Sequence, residues 1–203
     1  LETETVKSST FCHKEDVNSA CYLEKASSNV FLTASDDGTA KLWDTRILKN
    51  NMPVGAFYGH VSGLTCVSSK DDNRYFITNS KDQSLKLWDI RKYSTQKKNH
   101  HFLKYDYRCE VLTPDHIQDI KEKQKKLDDS LMTFWGHQVH LTLIRCRFSP
   151  LHGTGQRYIY TGSFDGRVYI YDTITGENVI TLELPKENDS IFNCPVVRDC
   201  AWH

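Results

Sequence analysis

Two stretches of the chain superpose without a gap. Phe31 to Arg46 reads FLTASDDGTAKLWDTR, and Phe76 to Arg91, 45 residues further on, reads FITNSKDQSLKLWDIR. A weaker third copy, Ile159 to Ile174 (IYTGSFDGRVYIYDTI), starts 83 residues after the second, one repeat plus an insertion of about 38. Self-similarity at a fixed period constrains a fold strongly, because each copy is one unit that buries its apolar face only against a neighbour. Each copy runs from an apolar stretch into a polar turn: Asp36-Asp37-Gly38, Lys81-Asp82-Gln83, Phe164-Asp165-Gly166. Alternation follows in Ala40-Lys41-Leu42-Trp43, Leu85-Lys86-Leu87-Trp88 and Val168-Tyr169-Ile170-Tyr171. Strict alternation after an Asp/Gly turn predicts a β-hairpin. A histidine precedes each hairpin (His13, His60, His137), and a second apolar stretch follows it: Val17 to Tyr22, Leu64 to Val67, Leu143 to Phe148.

A period of about 45 residues, Gly-His before the hairpin and Trp-Asp after it together resemble the WD40 family. The resemblance implies an all-β fold, a β-propeller of four-stranded blades around a channel. It divides the chain into repeats at about 11–46, 58–91 and 135–174, with the start of another at 194–203. Val196 to His203 reads as a first strand, and residues 1–10 as the outer strand of a preceding blade. The chain begins with Leu1 and ends at His203 within that strand, so the reading is of an excerpt from a longer protein, seven blades by family analogy.

Each repeat also offers a His, a Ser and an Asp: His13/Ser35/Asp37, His60/Ser80/Asp82 and His137/Ser163/Asp165. A hydrolase triad has the same composition. Catalysis needs one activated nucleophile in one cleft, whereas this set recurs, its Asp always six residues before Trp43, Trp88 or Tyr171. In WD40 proteins a similar constellation is a structural network of His, Ser, Asp and Trp. A buried indole N–H needs an acceptor, and the serine hydroxyl is expected to supply it. Tyr171 in place of Trp predicts a weakened third network. The expectation is therefore a non-catalytic chain.

Lys plus Arg and Asp plus Glu both number 26, so the chain is formally neutral and has no electrostatic bias toward nucleic acid or anionic membrane. It lacks a run of 18 apolar residues, and Leu1 to Lys7 lack an apolar signal core. Seven cysteines (12, 21, 66, 109, 146, 194, 200) form no C-x-x-C pair, which fits reduced, buried thiols in an intracellular protein. There is no nucleotide-binding or zinc-protease motif. His137, His140 and Cys146 match no zinc spacing, and His100-His101 reads as a solvated loop pair. No cofactor or metal is expected.

Residues 92–133 interrupt the repeat and read as a loop between two blades, carrying Lys97-Lys98 and the mixed run KEKQKK (121–126). Pro114-Asp115 suits a helix start, and Ile117, Ile120, Gln124 and Leu127 fall on one narrow face. A short surface helix is expected there.

Trp-Asp is followed by x-Arg twice, at Trp43 to Arg46 and Trp88 to Arg91. This resembles the box by which substrate receptors of cullin-4 RING ubiquitin ligases are identified. The resemblance implies that Arg46 and Arg91 contact the ligase's propeller adaptor, DDB1-like, with Asp44 and Asp89 positioning the loop. The third repeat ends Asp172-Thr173-Ile174 without the Arg and is expected to make no such contact. NSKDQSLKLWDIR (79–91), Tyr105 to Arg108, DSLMTFWGH (129–137) and LIRCRFSP (143–150) look like the WD-repeat subfamily of the eleventh cullin-4-associated factor, WD-repeat protein 23. It implies a receptor that presents protein substrates for ubiquitination, in nucleus and cytoplasm, binding neither nucleic acid nor membrane. The alternatives are a WD40 scaffold in another complex and, from a different class, a hydrolase.

Overall fold

The computed structural model describes residue 9 and residues 11–48, 52–94, 112–125, 128–183 and 195–203. These form three antiparallel four-stranded sheets. The first holds β1 (Val17–Glu24), β2 (Ser27–Ser35), β3 (Ala40–Asp44) and β4 (Gly55–Phe57), in that order. The second holds β5 (Leu64–Ser69), β6 (Tyr75–Ser80), β7 (Ser84–Asp89) and β8 (Met132–Trp135). The third holds β9 (Cys146–Phe148), β10 (Tyr158–Gly162), β11 (Arg167–Asp172) and β12 (Asn178–Glu183). Consecutive strands pair as consecutive neighbours, which is the blade of a propeller.

The predicted hairpins are β2–β3, β6–β7 and β10–β11, closed in matching register by Phe31↔Trp43, Phe76↔Trp88 and Ile159↔Tyr171. Their turns need left-handed backbone: φ is +75° at Gly38, +68° at Gln83 and +79° at Gly166. Gln83 lacks glycine's freedom there. Its side chain compensates by accepting from Val139 N–H (2.7 Å) and donating to Val139 C=O (2.9 Å) of the next repeat.

Alternation puts one face of each blade against its neighbour. Leu32, Ala34, Leu42 and Phe57 of the first blade close on Leu64, Val67, Phe76 and Trp88 of the second. Ile77, Leu85, Leu87 and Phe134 of the second close on Cys146, Phe148, Ile159 and Tyr171 of the third. The core is thus a pair of layers between blades, not a centre within each. Strands β1, β5 and β9 are the first of their sheets and together line a cleft of about 870 Å³.

Two expectations need correction. Residues 92–133 do not lie between blades. They join β7 to β8 inside the second blade, because the fourth strand of the first and second sheets is supplied by residues just upstream of the next histidine, His60 and His137. The predicted first strand at 196–203 is not a strand in the structure. It runs along the third blade, with Val197 N–H on Ser163 C=O (3.1 Å) and Arg145 N–H on Arg198 C=O (2.9 Å). Residues 1–8 and 10, Lys97-Lys98, His100-His101, the 105–108 motif, Cys109, Lys126, Leu127 and Cys194 fall outside the described residues.

Candidate functional site

Each hairpin has two ends with different chemistry. One carries the β2–β3, β6–β7 and β10–β11 turns together with His13, His60 and His137. At the other stand the Asp residues that close β3, β7 and β11: Asp44, Asp89 and Asp172.

At the first end, two repeats hold the same relay. Trp43 Nε1–H donates to Thr33 Oγ1 (2.9 Å), which meets His13 Nε2 (2.7 Å), while His13 Nδ1 meets Asp37 Oδ2 (2.9 Å). In the second repeat the links are Trp88 to Thr78 (2.8 Å), Thr78 to His60 (2.7 Å) and His60 to Asp82 (3.0 Å). A carboxylate only accepts, so Nδ1 carries the ring proton and Nε2 takes the threonine O–H. The hydroxyl is therefore threonine, not the expected Ser35 or Ser80. Ser35 Oγ donates to Glu15 C=O and Ser80 Oγ to Gly63 C=O (3.0 Å); each accepts from the N–H of its Asp, tightening the turn. Register, not alternation, explains the exchange: Thr and Ser are two apart and share a face, but Thr33 and Thr78 sit one step diagonal to the Trp, whereas Ser35 and Ser80 lie at the strand end beside the turn. Burial pushes the Asp37 and Asp82 carboxyls up, but the facing histidines, with the Thr39 and Ser84 hydroxyls, outweigh it and hold both well below the usual range.

The third set does not assemble. Tyr171 OH meets His137 Nδ1 (3.1 Å), and His137 Nε2 reaches across the blade boundary to Asn79 Oδ1 (2.8 Å). Asp165 instead accepts from Tyr169 OH (2.8 Å), and Ser163 Oγ accepts from Gln138 N–H. With no carboxylate partner, burial pushes the His137 imidazole down to about 4. His140 sits edge-on to Phe164, and Cys146 lies buried on β9. Among the described residues no group of His, Cys, Asp and Glu is placed to hold a metal ion.

The insertion adds to the second relay. Helix α1 (Pro114–Lys125) begins where the sequence placed it, but it is not merely a surface element: Ile120 and Gln124 are buried. Gln124 Nε2 donates to Asp82 Oδ2 (2.8 Å) and Ser84 Oγ (3.1 Å). Beyond the helix, Asp128 binds Lys86 Nζ (2.6 Å), a lysine with no exposed side chain, which also donates to Thr133 Oγ1 (2.7 Å). Burial pushes the Lys86 ammonium down, and Asp128 opposes this. Such a buried pair specifies geometry more than it stabilises.

At the opposite end the arginines stand out. Arg46 forks onto Asp44 through Nε (2.9 Å) and Nη2 (2.6 Å), and Arg91 onto Asp89 (3.1 and 2.9 Å). The other carboxylate duty is local: Asp44 Oδ1 accepts from Arg46 N–H and Asp89 Oδ1 from Arg91 N–H. The aspartates are 15% and 5% exposed in their side chains, the arginines 67% and 63%. The Arg46 side chain holds the Asp44 carboxyl down at about 2, and that of Arg91 holds Asp89 well below its usual range. The result is two guanidinium groups, fixed at one edge and open at the other, at equivalent places 45 residues apart. Such groups bind carboxylates and carbonyls of a partner in a planar fork.

Fold, repeat and paired interior relays define a WD-repeat propeller chain. The WD domain, G-beta repeat family matches residues 5–44, 51–89 and 129–172, and the chain belongs to it. It is similar to the LEC14B protein of Lithospermum erythrorhizon, 42% identical over the whole chain and 41% of that protein. It is also similar to the DDB1- and CUL4-associated factor 11 homologs of Caenorhabditis briggsae and Caenorhabditis elegans. Each is 38% identical over 94% of this chain, and over 33% and 32% of those proteins respectively. The chain thus spans less than half the length of these relatives. Among solved structures, the WD40 beta propeller domain of Doa1 superposes with a TM-score of 0.54 at 22% identity, over 85% of this chain and 42% of that one, a likeness of fold.

Proposed function

We propose that this chain is part of a substrate receptor of a cullin-4 RING ubiquitin ligase, a protein-binding scaffold that docks the ligase's DDB1-like adaptor through Arg46 and Arg91 and presents protein substrates. The observation that carries the reading is the pair of Asp-anchored, solvent-facing arginines repeated on one rim. The printed names of the two nematode relatives, DDB1- and CUL4-associated factor 11 homologs, support the same partner. Asp44 and Asp89 are positioning residues: they hold each guanidinium in plane and orient the loop through the arginine's own N–H. Work of this kind requires no reacting group and no cofactor, and it belongs in the nucleus and cytoplasm where the ligase acts. A receptor fixed by the rim with the arginines leaves the relay end and α1 for substrate.

The test is co-precipitation of the adaptor with the full-length protein, wild type against Arg46→Ala/Arg91→Ala. Recovery with wild type and loss with the variant support the reading. Absence of adaptor with wild type removes it and leaves a propeller scaffold of another complex.

A further inference from the structure

The arginine rim is longer than the two W-D-x-R motifs. Asp172 closes β11 as Asp44 and Asp89 close β3 and β7, and its Oδ1 caps Ile174 N–H (2.8 Å) just as they cap Arg46 and Arg91. No arginine follows Asp172. Its Oδ2 nevertheless accepts from both Nε (2.9 Å) and Nη2 (2.6 Å) of Arg157, 15 residues upstream. The second blade has the same upstream residue: Arg74, also 15 residues before its Asp, donates Nε–H to Asp89 Oδ2 (3.1 Å). The two positions are equivalent in the backbone. Arg74 C=O accepts from Ile90 N–H (2.9 Å) and Arg157 C=O from Thr173 N–H (3.0 Å), as Asn29 C=O accepts from Thr45 N–H (2.7 Å) in the first blade. Each upstream arginine also lies near the ring of the tyrosine after it, 4.6 Å from the Tyr75 centroid and 5.7 Å from that of Tyr158.

We infer that Arg46, Arg74, Arg91 and Arg157 form one Asp-anchored arginine row across three blades, and that its partner is a surface bearing carboxylates. This rests on the adaptor reading above and extends it: the third blade touches the adaptor through Arg157, in place of the missing W-D-x-R arginine. The arginines leave 43 to 67% of their side chains exposed. Ion pairs so exposed add little to stability, so stability does not account for an arginine at this rim in every blade. A guanidinium has five N–H groups and a carboxylate fork takes two, which leaves donors for a second acceptor. The anchoring Asp removes much of the rotamer freedom that a free arginine loses on binding.

The experiment titrates the purified adaptor into the full-length protein, comparing wild type, Arg46→Ala/Arg91→Ala, Arg74→Gln, Arg157→Gln and Asp172→Asn, with a melting curve for each. The row predicts that Arg157→Gln weakens binding about tenfold, the scale of losing one arginine contact at an interface, that Arg74→Gln acts in the same direction, and that Asp172→Asn, which frees Arg157 without removing it, keeps most of the affinity. If Arg74→Gln and Arg157→Gln bind like wild type while Arg46→Ala/Arg91→Ala does not, the row is wrong and the adaptor reading stands. Equal losses in Arg157→Gln and Asp172→Asn, matched by equal drops in Tm, reduce Arg157 to a fold residue and also overturn it. No binding by wild type sinks both.

Discussion

The second and third blades share a sheet plan and differ in how their histidines are satisfied. His60 is locked to Asp82 within its own blade, and Asp82 is met by Val61 N–H, Ser84 and Gln124 as well. Among the described residues the His137 ring hydrogen-bonds to neutral groups, Tyr171 and, in the neighbouring blade, Asn79. The difference goes with a tyrosine, Tyr171, where the other blades have Trp43 and Trp88. Tyr171 OH reaches the histidine ring directly, so Thr161, which holds the position of Thr78, turns its hydroxyl to backbone carbonyls instead. A relay that ends on a charge organises its blade from within. One that ends on neutral groups leans on the blade before it.

The sharpest way to break the comparison is to remove both aspartates in turn. Asp82→Ala strips an unexposed carboxylate from five donors and is expected to cost about 3–5 kcal/mol, while Asp165→Ala, which loses more exposed bonds to Tyr169 OH and Arg167 N–H, costs about 1–2 kcal/mol. Denaturant melts of the full-length protein check this, and equal losses would erase the distinction.

Next is pH. His137 has a folded pKa of about 4 against an unfolded 6.5. Between those values the unfolded chain binds the extra proton, so stability rises with pH, is full above about 6.5 and falls as pH drops toward 4. Integrated, this amounts to about 3 kcal/mol. His137→Gln, which cannot take up the proton, should flatten that part of the stability profile.

Thr78→Val leaves the buried Trp88 indole and His60 without their shared hydroxyl and should lower stability by about 2 kcal/mol, against about 1 for Thr161→Val. Gln124→Ala has a similarly small effect, about 1 kcal/mol, read best as faster amide exchange in α1.

Much of the fold was legible in the sequence because the repeat and the strand alternation are local signals. The hairpins, the turn glycines and the onset of α1 at Pro114 all follow from neighbours a few residues apart. The place of the insertion was legible too, in a signal easily passed over: Phe57-Tyr58-Gly59-His60 and Phe134-Trp135-Gly136-His137 align, and Phe57 and Phe134 mark β4 and β8. The threonine of the relay recurs at 33, 78 and 161, but the nearer serine recurs equally, and only sheet geometry tells which side chain faces the indole. Gln124 on Asp82 had no local signature, and Arg157 on Asp172 had only the recurrence of an arginine 15 residues before the closing Asp, at Arg74 and Arg157. Each joins residues far apart in sequence, 42 positions in the first case and 15 in the second.

The interior relays hold the blades, and the rim arginines are proposed to hold the partner. The most direct test of this division sets Thr78→Val beside Arg46→Ala/Arg91→Ala in the full-length protein, measuring adaptor affinity well below Tm and melting curves on the same samples. The account predicts a lower Tm with wild-type affinity for Thr78→Val, and a wild-type Tm with affinity reduced about tenfold or more for the arginine pair. An arginine pair that melts early and binds normally would contradict it.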